Sequence, residues 1–511
     1  MTLRQVAQRA WKQTKRIQDA TFRRLRRSDK SASLQAARRG SRLQFLARLA
    51  QWGKKGDIRG AIFRYILASV PKFAPAINPR HPQASYWTER RKYERRIKSQ
   101  WYKVVKYMGG AKSSSNSVEI FSDGSEAFSL MWSSIRSAKH RVWMQTYILK
   151  ADNIGLRTIQ ELTRAARRGV QVAFIYDHFG SLGFNPLHFE ELIALNGVVV
   201  CFNGVSELVH RFNVRSYVLF RSHRKILVVD NSYGFCGGMN ISEEYCNADI
   251  GGNGRFRDTH AMIRGPGVVH LAEAFLETIA TMRDLKTVSG DLLDRLNRVQ
   301  SSLPVPKMHT NKYEWLDTIV NSEKSTHHTF LQVLTSDGSK NKRDIQTSLS
   351  NAIGMAQRRV YLTSPYFLPP LKISMAIIGA ARRGVDVRIL TAGKSDVPLI
   401  NFASSHIYGL FLRNNVQIYE LQSRELHAKT ITSDGIIAMV GSYNLDHLSY
   451  KHNLEANLSM IDPKIAIRIE KNFFEDLKGA KKVVRRNWEN RSFLAKVWDW
   501  LVYTALTFIM E

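Results

Sequence analysis

The chain has 511 residues, 44% of them hydrophobic and 10% aromatic, which excludes a disordered protein and leaves room for two or three domains. Of a formal net charge of +33, residues 1–112 hold +24 (29 Lys/Arg against 5 Asp/Glu), so only +9 belongs to the rest and a histone-like polycation is excluded. Three cysteines (Cys201, Cys236, Cys246) make neither a disulfide framework nor a zinc-ribbon spacing, and point to a reducing compartment.

The first element is an amphipathic helix. Leu3, Val6, Ala7, Ala10 and Trp11 share one face, and Arg4, Arg9, Lys12, Lys15 and Arg16 surround it. An Arg-rich, acid-poor start of this kind reads as a mitochondrial transit peptide, the alternative being a basic arm on an anionic membrane or a nucleic acid. No apolar h-region is present, so a secretory signal is not expected. Residues 1–112 are therefore a basic targeting or membrane region.

Beyond it the chain repeats at offsets near 215. Ala-Ala-Arg-Arg-Gly-Val occurs at 165–170 and again at 380–385, each time closing a helical pattern and opening an apolar strand (171–176 and 386–390). Ser-Asp-Gly-Ser at 122–125 recurs at 336–339, and a strand-like 141–149 is answered by 359–363. Ordered matches with alternating helix and strand argue a duplicated α/β unit. The halves are set at 113–288 and 329–480, joined by a polar linker, 289–328, that contains Pro304 and Pro306. The last segment, 481–511, ends almost wholly apolar from Trp500 to Met510. That is shorter than the ~18 to 20 residues that span a bilayer, so it reads as interfacial, or as a terminal helix packed on the core.

Each half carries the same chemical phrase, H-x-K-x4-D: His223, Lys225 and Asp230 in the first, His427, Lys429 and Asp434 in the second. A second short strand and a small-residue step follow, ending in Asn240 or Asn444. Strand residues i and i+2 share a face, so each His emerges beside its Lys while Arg224 or Ala428 points away. A neighbouring ammonium repels a divalent cation, and too few ligands are present for a zinc site. No serine elbow is present either. A phosphodiester fits: two Lys and two Asn can hold the non-bridging oxygens, one imidazole can attack phosphorus, and the other can protonate the leaving alcohol. No metal or cofactor is expected.

The duplicated H-x-K-x4-D with its G-[GS]-x-N resembles the phospholipase D superfamily over residues ~115 to 480. Local strings are closer to bacterial-type cardiolipin synthases: Pro365-Tyr366-Phe367, Gly237 to Tyr245, Arg257-Asp258-Thr259-His260 and Gly441 to Asp446 with Asn453 to Asn457. The resemblance implies two α/β halves about a pseudo-two-fold axis with both histidines in one site. It also makes His223 the nucleophile and gives to Asp258 and Glu455, 35 and 28 residues after their motif histidines, the orientation of an imidazole. Two departures stand out. Gln145 precedes Tyr147 where the family has an acid, and 250–254 looks like an insertion. Asp230 and Asp434, though motif members, read better as closing a hairpin turn.

The expected activity is a phosphatidyltransferase that makes cardiolipin from phosphatidylglycerol and a second phospholipid through a phosphatidyl-histidine. It would lie at an anionic membrane, the mitochondrial inner membrane or alternatively a bacterial cytoplasmic one. A phosphatidylglycerolphosphate synthase and a hydrolytic phospholipase D share the chemistry. A nuclease is less favoured, because the mildly basic body shows no basic and aromatic lining, and no nucleic-acid partner is expected.

Overall fold

The computed structural model describes residues 110–204, 218–284, 290–301 and 329–510. The transit helix expected at the N-terminus lies outside them. The first half comprises β1 (Ala111–Phe121), α1 (Gly124–Ser137), β2 (Arg141–Thr146), α2 (Asn153–Arg167), β3 (Gln171–Asp177), β4 (Val198–Phe202), β5 (Ile226–Val229), β6 (Tyr233–Gly237), β7 (Phe256–Arg257), β8 (His260–Arg264), α3 (Gly267–Asp284) and α4 (Gly290–Ser301). In the second are β9 (Thr329–Asp337), β10 (Lys342–Arg343), α5 (Asp344–Met355), β11 (Arg359–Thr363), α6 (Leu371–Arg382), β12 (Asp386–Ala392), α7 (Pro398–Leu412), β13 (Gln417–Leu421), β14 (Glu425–Leu426), β15 (Thr430–Ser433), β16 (Ile437–Gly441), β17 (Glu455–Ile461) and α8 (Pro463–Lys478). After these come β18 (Ala480–Lys482) and α9 (Phe493–Met510).

The duplication is visible in one continuous 16-stranded sheet. Outward from the β1–β9 pair, the first half runs β8, β6, β5, β2, β3, β4 and the second β17, β16, β15, β11, β12, β13, with β18 added at the second edge. Equivalent strands thus stand at equal distances from the antiparallel β1–β9 join, where Ala111 faces Val333. A pseudo-two-fold axis at that join relates the halves. One core crosses it: Leu271 and Phe275 on α3 pack in the same cluster as Leu331, Val440, Leu458 and Ile469.

The repeated hexapeptide builds the same joint twice. Gly169 and Gly384 take φ of 82° and 87°, a left-handed turn that only glycine enters without strain. Val170 and Val385 then donate back to Ala165 and Ala380, which closes each helix. The second arginine of each copy caps the preceding helix. Arg168 donates to the carbonyls of Ile135 and Ala138, and Arg383 to those of Gly354 and Ala356. The motif aspartates are as symmetric. Asp230 (φ 53°) accepts from the N–H groups of Lys139, His140 and Arg141, and Asp434 (φ 54°) from those of Gln357, Arg358 and Arg359. They tie each hairpin turn to the start of the neighbouring strand, at the end away from the histidines. These contacts agree with the reading of the two motif aspartates as turn-closing residues.

The stretch 289–328, expected as a linker, opens with α4, whose Leu296 and Val299 are buried in the shared core. Residues 302–328 lie outside the described ones.

Candidate active site

Two backbone hydrogen bonds, symmetric about the axis, bring the motifs together. The His223 N–H donates to the Leu454 carbonyl at 2.9 Å, and the His427 N–H to the Arg257 carbonyl at 2.8 Å. Leu454 and Arg257 immediately precede the two acids, so each histidine is placed beside the acid of the opposite half. Asp258 and Glu455 each face an imidazole, and each does so across the axis. His223 Nδ1 lies 3.0 Å from Glu455 Oε2, and His427 Nδ1 lies 2.7 Å from Asp258 Oδ2. The short stretch 250–254, read as an insertion, leads into β7, which pairs with β14 and so delivers Asp258 to His427.

All six groups are buried: His223 is 7% exposed and His427 4%, and the two lysines and two carboxylates are at 3% or less. Each Nδ1 faces a carboxylate, an arrangement that favours the proton on Nδ1 and the lone pair on Nε2; Lys429 Nζ also lies 2.9 Å from His427 Nδ1 and 3.3 Å from its Nε2. Glu455 additionally accepts from Ser442 Oγ, Ser449 Oγ (2.7 Å) and Asn453 Nδ2 (3.2 Å), whereas Asp258 has the Thr259 N–H at 2.6 Å. Gly238 is required next to Asp258, since a Cβ there would lie 2.1 Å from its Oδ1. At the equivalent position Ser442 reaches its acid with a hydroxyl instead. This explains why one motif reads Gly-Gly and the other Gly-Ser.

Burial depresses the His223 imidazole to about 4, with Lys225 and Lys429 adding to the effect and Glu455 opposing it. His427 is lowered for the same reason, burial first and then Lys429, against Asp258. Burial would raise both acids, yet His427 and Lys429 hold Asp258 below its usual range, and His223 and Lys225 do so for Glu455. Lys225 falls well below an ordinary lysine through burial and the nearby Lys429, which is itself lowered by burial. At rest the imidazoles are thus neutral and the acids ionised, while burial leaves the ammonium forms of Lys225 and Lys429 under-compensated by the nearby carboxylates, a charge deficit that works against them. An anion placed between them relieves that deficit.

The lysines also brace the motif: Lys225 Nζ donates to the His223 carbonyl at 2.8 Å, and Lys429 Nζ to that of His427. Arg224 does point away, as expected, and bolts the halves together. Fully buried, it donates to the Glu455 and Ser336 carbonyls of the second half and to Ala274 and Glu277 on α3. The two asparagines do not form a matched clamp. Asn240 is spent on the Ile148 N–H (3.1 Å) and the Tyr245 hydroxyl (2.6 Å), so it acts by fixing Tyr245. Asn444, also buried, keeps an unpartnered Oδ1.

Aromatic walls were not anticipated from the sequence. Tyr147 meets His223 edge-on at 5.0 Å between ring centres, and Tyr245 and Phe256 meet His427 at 5.4 Å each. Of these, Tyr245 lay within a quoted string and Tyr147 was named beside the Gln145 departure. Gln145, where an acid was expected, is buried on β2 and bonds Ser222 and Thr278. Asp396, without any sequence signal, lies in the loop after β12, and its charge acts on His427 and Lys429. Among the described residues no cluster of three or more His, Cys, Asp or Glu suited to a metal ion is found.

Residues 131–250 and 349–477 each match the family model described as "Cardiolipin synthase, PLD-like domain", once per half. A cardiolipin synthase of Geobacillus kaustophilus is 30% identical over 382 residues, covering 74% of this chain and 69% of that one. One from Clostridium perfringens is 29% identical over 393 residues, 76% of either chain. In fold, the chain resembles the crystal structure of phosphatidylserine synthase from Haemophilus influenzae, with a TM-score of 0.53 at 12% identity, over 77% of this chain and 93% of that one. The relatives are bacterial, which lends nothing to the mitochondrial expectation and fits the bacterial alternative.

Proposed function

The chain belongs to the phospholipase D superfamily, among its cardiolipin synthases, and from that premise we propose that it is a phosphatidyltransferase that joins two phospholipids into cardiolipin at a bacterial cytoplasmic membrane. The observation that carries the reading is the crossed pair of Nδ1-anchored histidines, His223–Glu455 and His427–Asp258, with a lysine beside each.

In the first step the neutral Nε2 of His223 attacks the phosphorus of the donor lipid. The bond to the head-group oxygen breaks, and that oxygen takes the Nε2 proton of His427, which enters this step as an imidazolium paired with Asp258, having gained one proton from solvent as the anionic donor binds, and leaves it neutral. Lys225 and Lys429 neutralise the charge on the non-bridging oxygens. In the second step His427 Nε2 takes the proton of a free phosphatidylglycerol hydroxyl, whose oxygen attacks the phosphatidyl-histidine and releases His223. Glu455 and Asp258 hold the tautomers and stabilise whichever imidazole becomes cationic. His427 suits the proton-carrying role because its carboxylate is nearer and has fewer competing donors. Near-complete burial keeps water from the phosphatidyl-histidine, which is what transfer demands over hydrolysis. The basic residues 1–112 would add attraction to anionic lipid, about 1 kcal/mol for each Lys or Arg near the surface.

Incubating the purified protein with phosphatidylglycerol labelled in its head group tests this. Cardiolipin and free glycerol from phosphatidylglycerol alone are expected. Phosphatidic acid as the sole lipid product would make it a hydrolase, and a product only when a CDP-lipid and glycerol phosphate are supplied would make it a phosphatidylglycerolphosphate synthase.

A further inference from the structure

The C-terminal helix α9 is turned inside out for a protein in water. Its buried positions include Asp499 and Thr507, while Phe493, Leu494, Trp498, Leu501 and Phe508 face outward, Phe493 and Leu494 at 78% exposure and Phe508 at 81%. Asp499 is stabilised inside by Arg491 Nη1 at 2.6 Å. A surface helix normally presents the opposite pattern, and a contiguous apolar face of this size marks a contact surface. The helix is long and apolar enough to cross a bilayer, with a mean hydropathy of 1.3, but it is packed lengthwise on α7. Val502 joins Leu368, Ile400 and Ala403 in one cluster, against which Tyr366 also packs.

That cluster leads to the active site. The Tyr366 hydroxyl donates to Asp396 at 2.8 Å, the carboxylate whose charge reaches His427 and Lys429. The residues that follow Asp396, Val397 and Leu399, are exposed, and Phe402 one turn later meets the Trp498 ring at 6.4 Å. The corresponding loop of the first half, after β3, exposes Leu182 and Leu187. It too touches a wall of the site, through Ser181 Oγ donating to the Tyr147 carbonyl at 3.2 Å. Both loops that rim the histidines are therefore apolar outward, and α9 extends one of them.

We propose that α9 and the two rim loops form one docking face that sits in the interfacial layer of an anionic phospholipid bilayer, with the site opening onto the lipid it consumes. Charge favours this occupant. Between 480 and 510 there are six Lys/Arg against Glu489 and Asp499, both already bound by arginines, so Lys481, Lys482 and Arg486 stay exposed in the segment that leads into α9. Exposed Trp498 and Trp500 are the residue type that settles at a head-group boundary. The face rests on the transferase reading for its purpose, though not for its detection.

The test uses the full chain with vesicles of phosphatidylglycerol and phosphatidylcholine whose acyl chains are brominated near the head group. Bromine is expected to quench a part of the tryptophan emission that is missing in a Trp498→Phe/Trp500→Phe variant, which keeps the apolar surface. Identical fractional quenching in the two proteins overturns the proposal. In a Phe493→Ser/Leu494→Ser/Phe508→Ser variant the transfer rate on vesicles should fall at least about tenfold, while the rate on dispersed dihexanoyl phosphatidylglycerol stays unchanged; equal losses on both substrates overturn it. A wild-type dimer that the same substitutions dissociate, with no bromine quenching, would assign the face to a second copy and also overturn it. Quenching that persists in a protein unable to make cardiolipin from either substrate sinks the transferase reading and supports the docking face.

Discussion

Glu455, the first residue of β17, holds Nδ1 of His223 at 3.0 Å across the pseudo-two-fold axis, 232 positions away in the chain. The reciprocal contact, His427 to Asp258, spans 169 positions. In the proposed mechanism neither half would be complete alone, because the acid facing each imidazole is supplied by the other. Burial depresses both histidines, and without a facing carboxylate each would lose its tautomer and most of its capacity to carry positive charge.

The crossing yields an asymmetric expectation for the two acids. Asp258→Asn should impair the proton-carrying His427, and Glu455→Gln the nucleophilic His223, each slowing transfer by about 100- to 10,000-fold. A donor with a p-nitrophenyl head group needs no protonation on departure, so it should restore phosphatidyl-enzyme formation in Asp258→Asn and leave Glu455→Gln slow. Burst kinetics at 400 nm read both. Rescue of Glu455→Gln alone would mean that the roles of the histidines are reversed.

His223→Ala and His427→Ala should each abolish cardiolipin formation. With the activated donor, however, His427→Ala should accumulate an acid-labile phosphatidyl adduct on His223, visible by mass spectrometry of the intact protein. Full activity of either variant on ordinary phosphatidylglycerol would end the two-histidine mechanism.

Asp230→Asn and Asp434→Asn test the structural assignment of the motif aspartates. Asparagine tolerates the left-handed φ but gives three backbone N–H groups a weaker acceptor, so each variant should lose about 1–3 kcal/mol of stability in urea unfolding. The transfer rate per folded molecule should hold at low temperature. A hundredfold loss in a fully folded Asp230→Asn would return that residue to the reaction.

Much of this was readable locally. The hexapeptide repeat, the motif spacing and the left-handed turns at Asp230 and Asp434 depend on residues within a few positions of one another, where turn and strand geometry rule, whereas the N–H groups these aspartates bind lie 75 to 91 positions away. The crossed pairing was not readable: each acid follows its own motif by 35 or 28 residues, and only the β1–β9 join turns the halves so that Leu454 and Arg257 meet the opposite histidines. The role of Asn240 failed similarly, since its partner Tyr245 lies on a short turn whose approach to His427 depends on β7 and β14 pairing. The start of α4 was hidden by its polar surroundings, although Leu296 and Val299 follow helical spacing.

Insensitivity to chelators follows from the charges in the site. Lys225 and Lys429 stand where a cation would neutralise the phosphate, so EDTA at fixed ionic strength should leave the transfer rate unchanged within about twofold. Loss restored by one particular divalent ion would contradict this. Restoration by any divalent ion alike would point to screening of anionic lipid.

Acid should destabilise the fold before the carboxylates titrate. His260 is buried on β8 with an unpartnered Nδ1, and burial lowers it to about 4, opposed by Asp258 and aided by Lys225. A histidine depressed from 6.5 takes up its proton in the unfolded chain first, so stability is full above that value and declines as pH falls toward about 4. By pH 5 this amounts to about 2 kcal/mol for one such group. His223, also at about 4, adds to it in the same direction. The equivalent position in the second half holds Asn457, whose Oδ1 accepts the Tyr443 N–H at 3.2 Å, so the fold already accommodates an amide there. His260→Asn should therefore flatten the fall in the urea midpoint between pH 7 and pH 5, at modest loss of stability at neutral pH. An unchanged slope would show that His260 is protonated in the folded protein, and that its unpartnered nitrogen has a proton donor's role there.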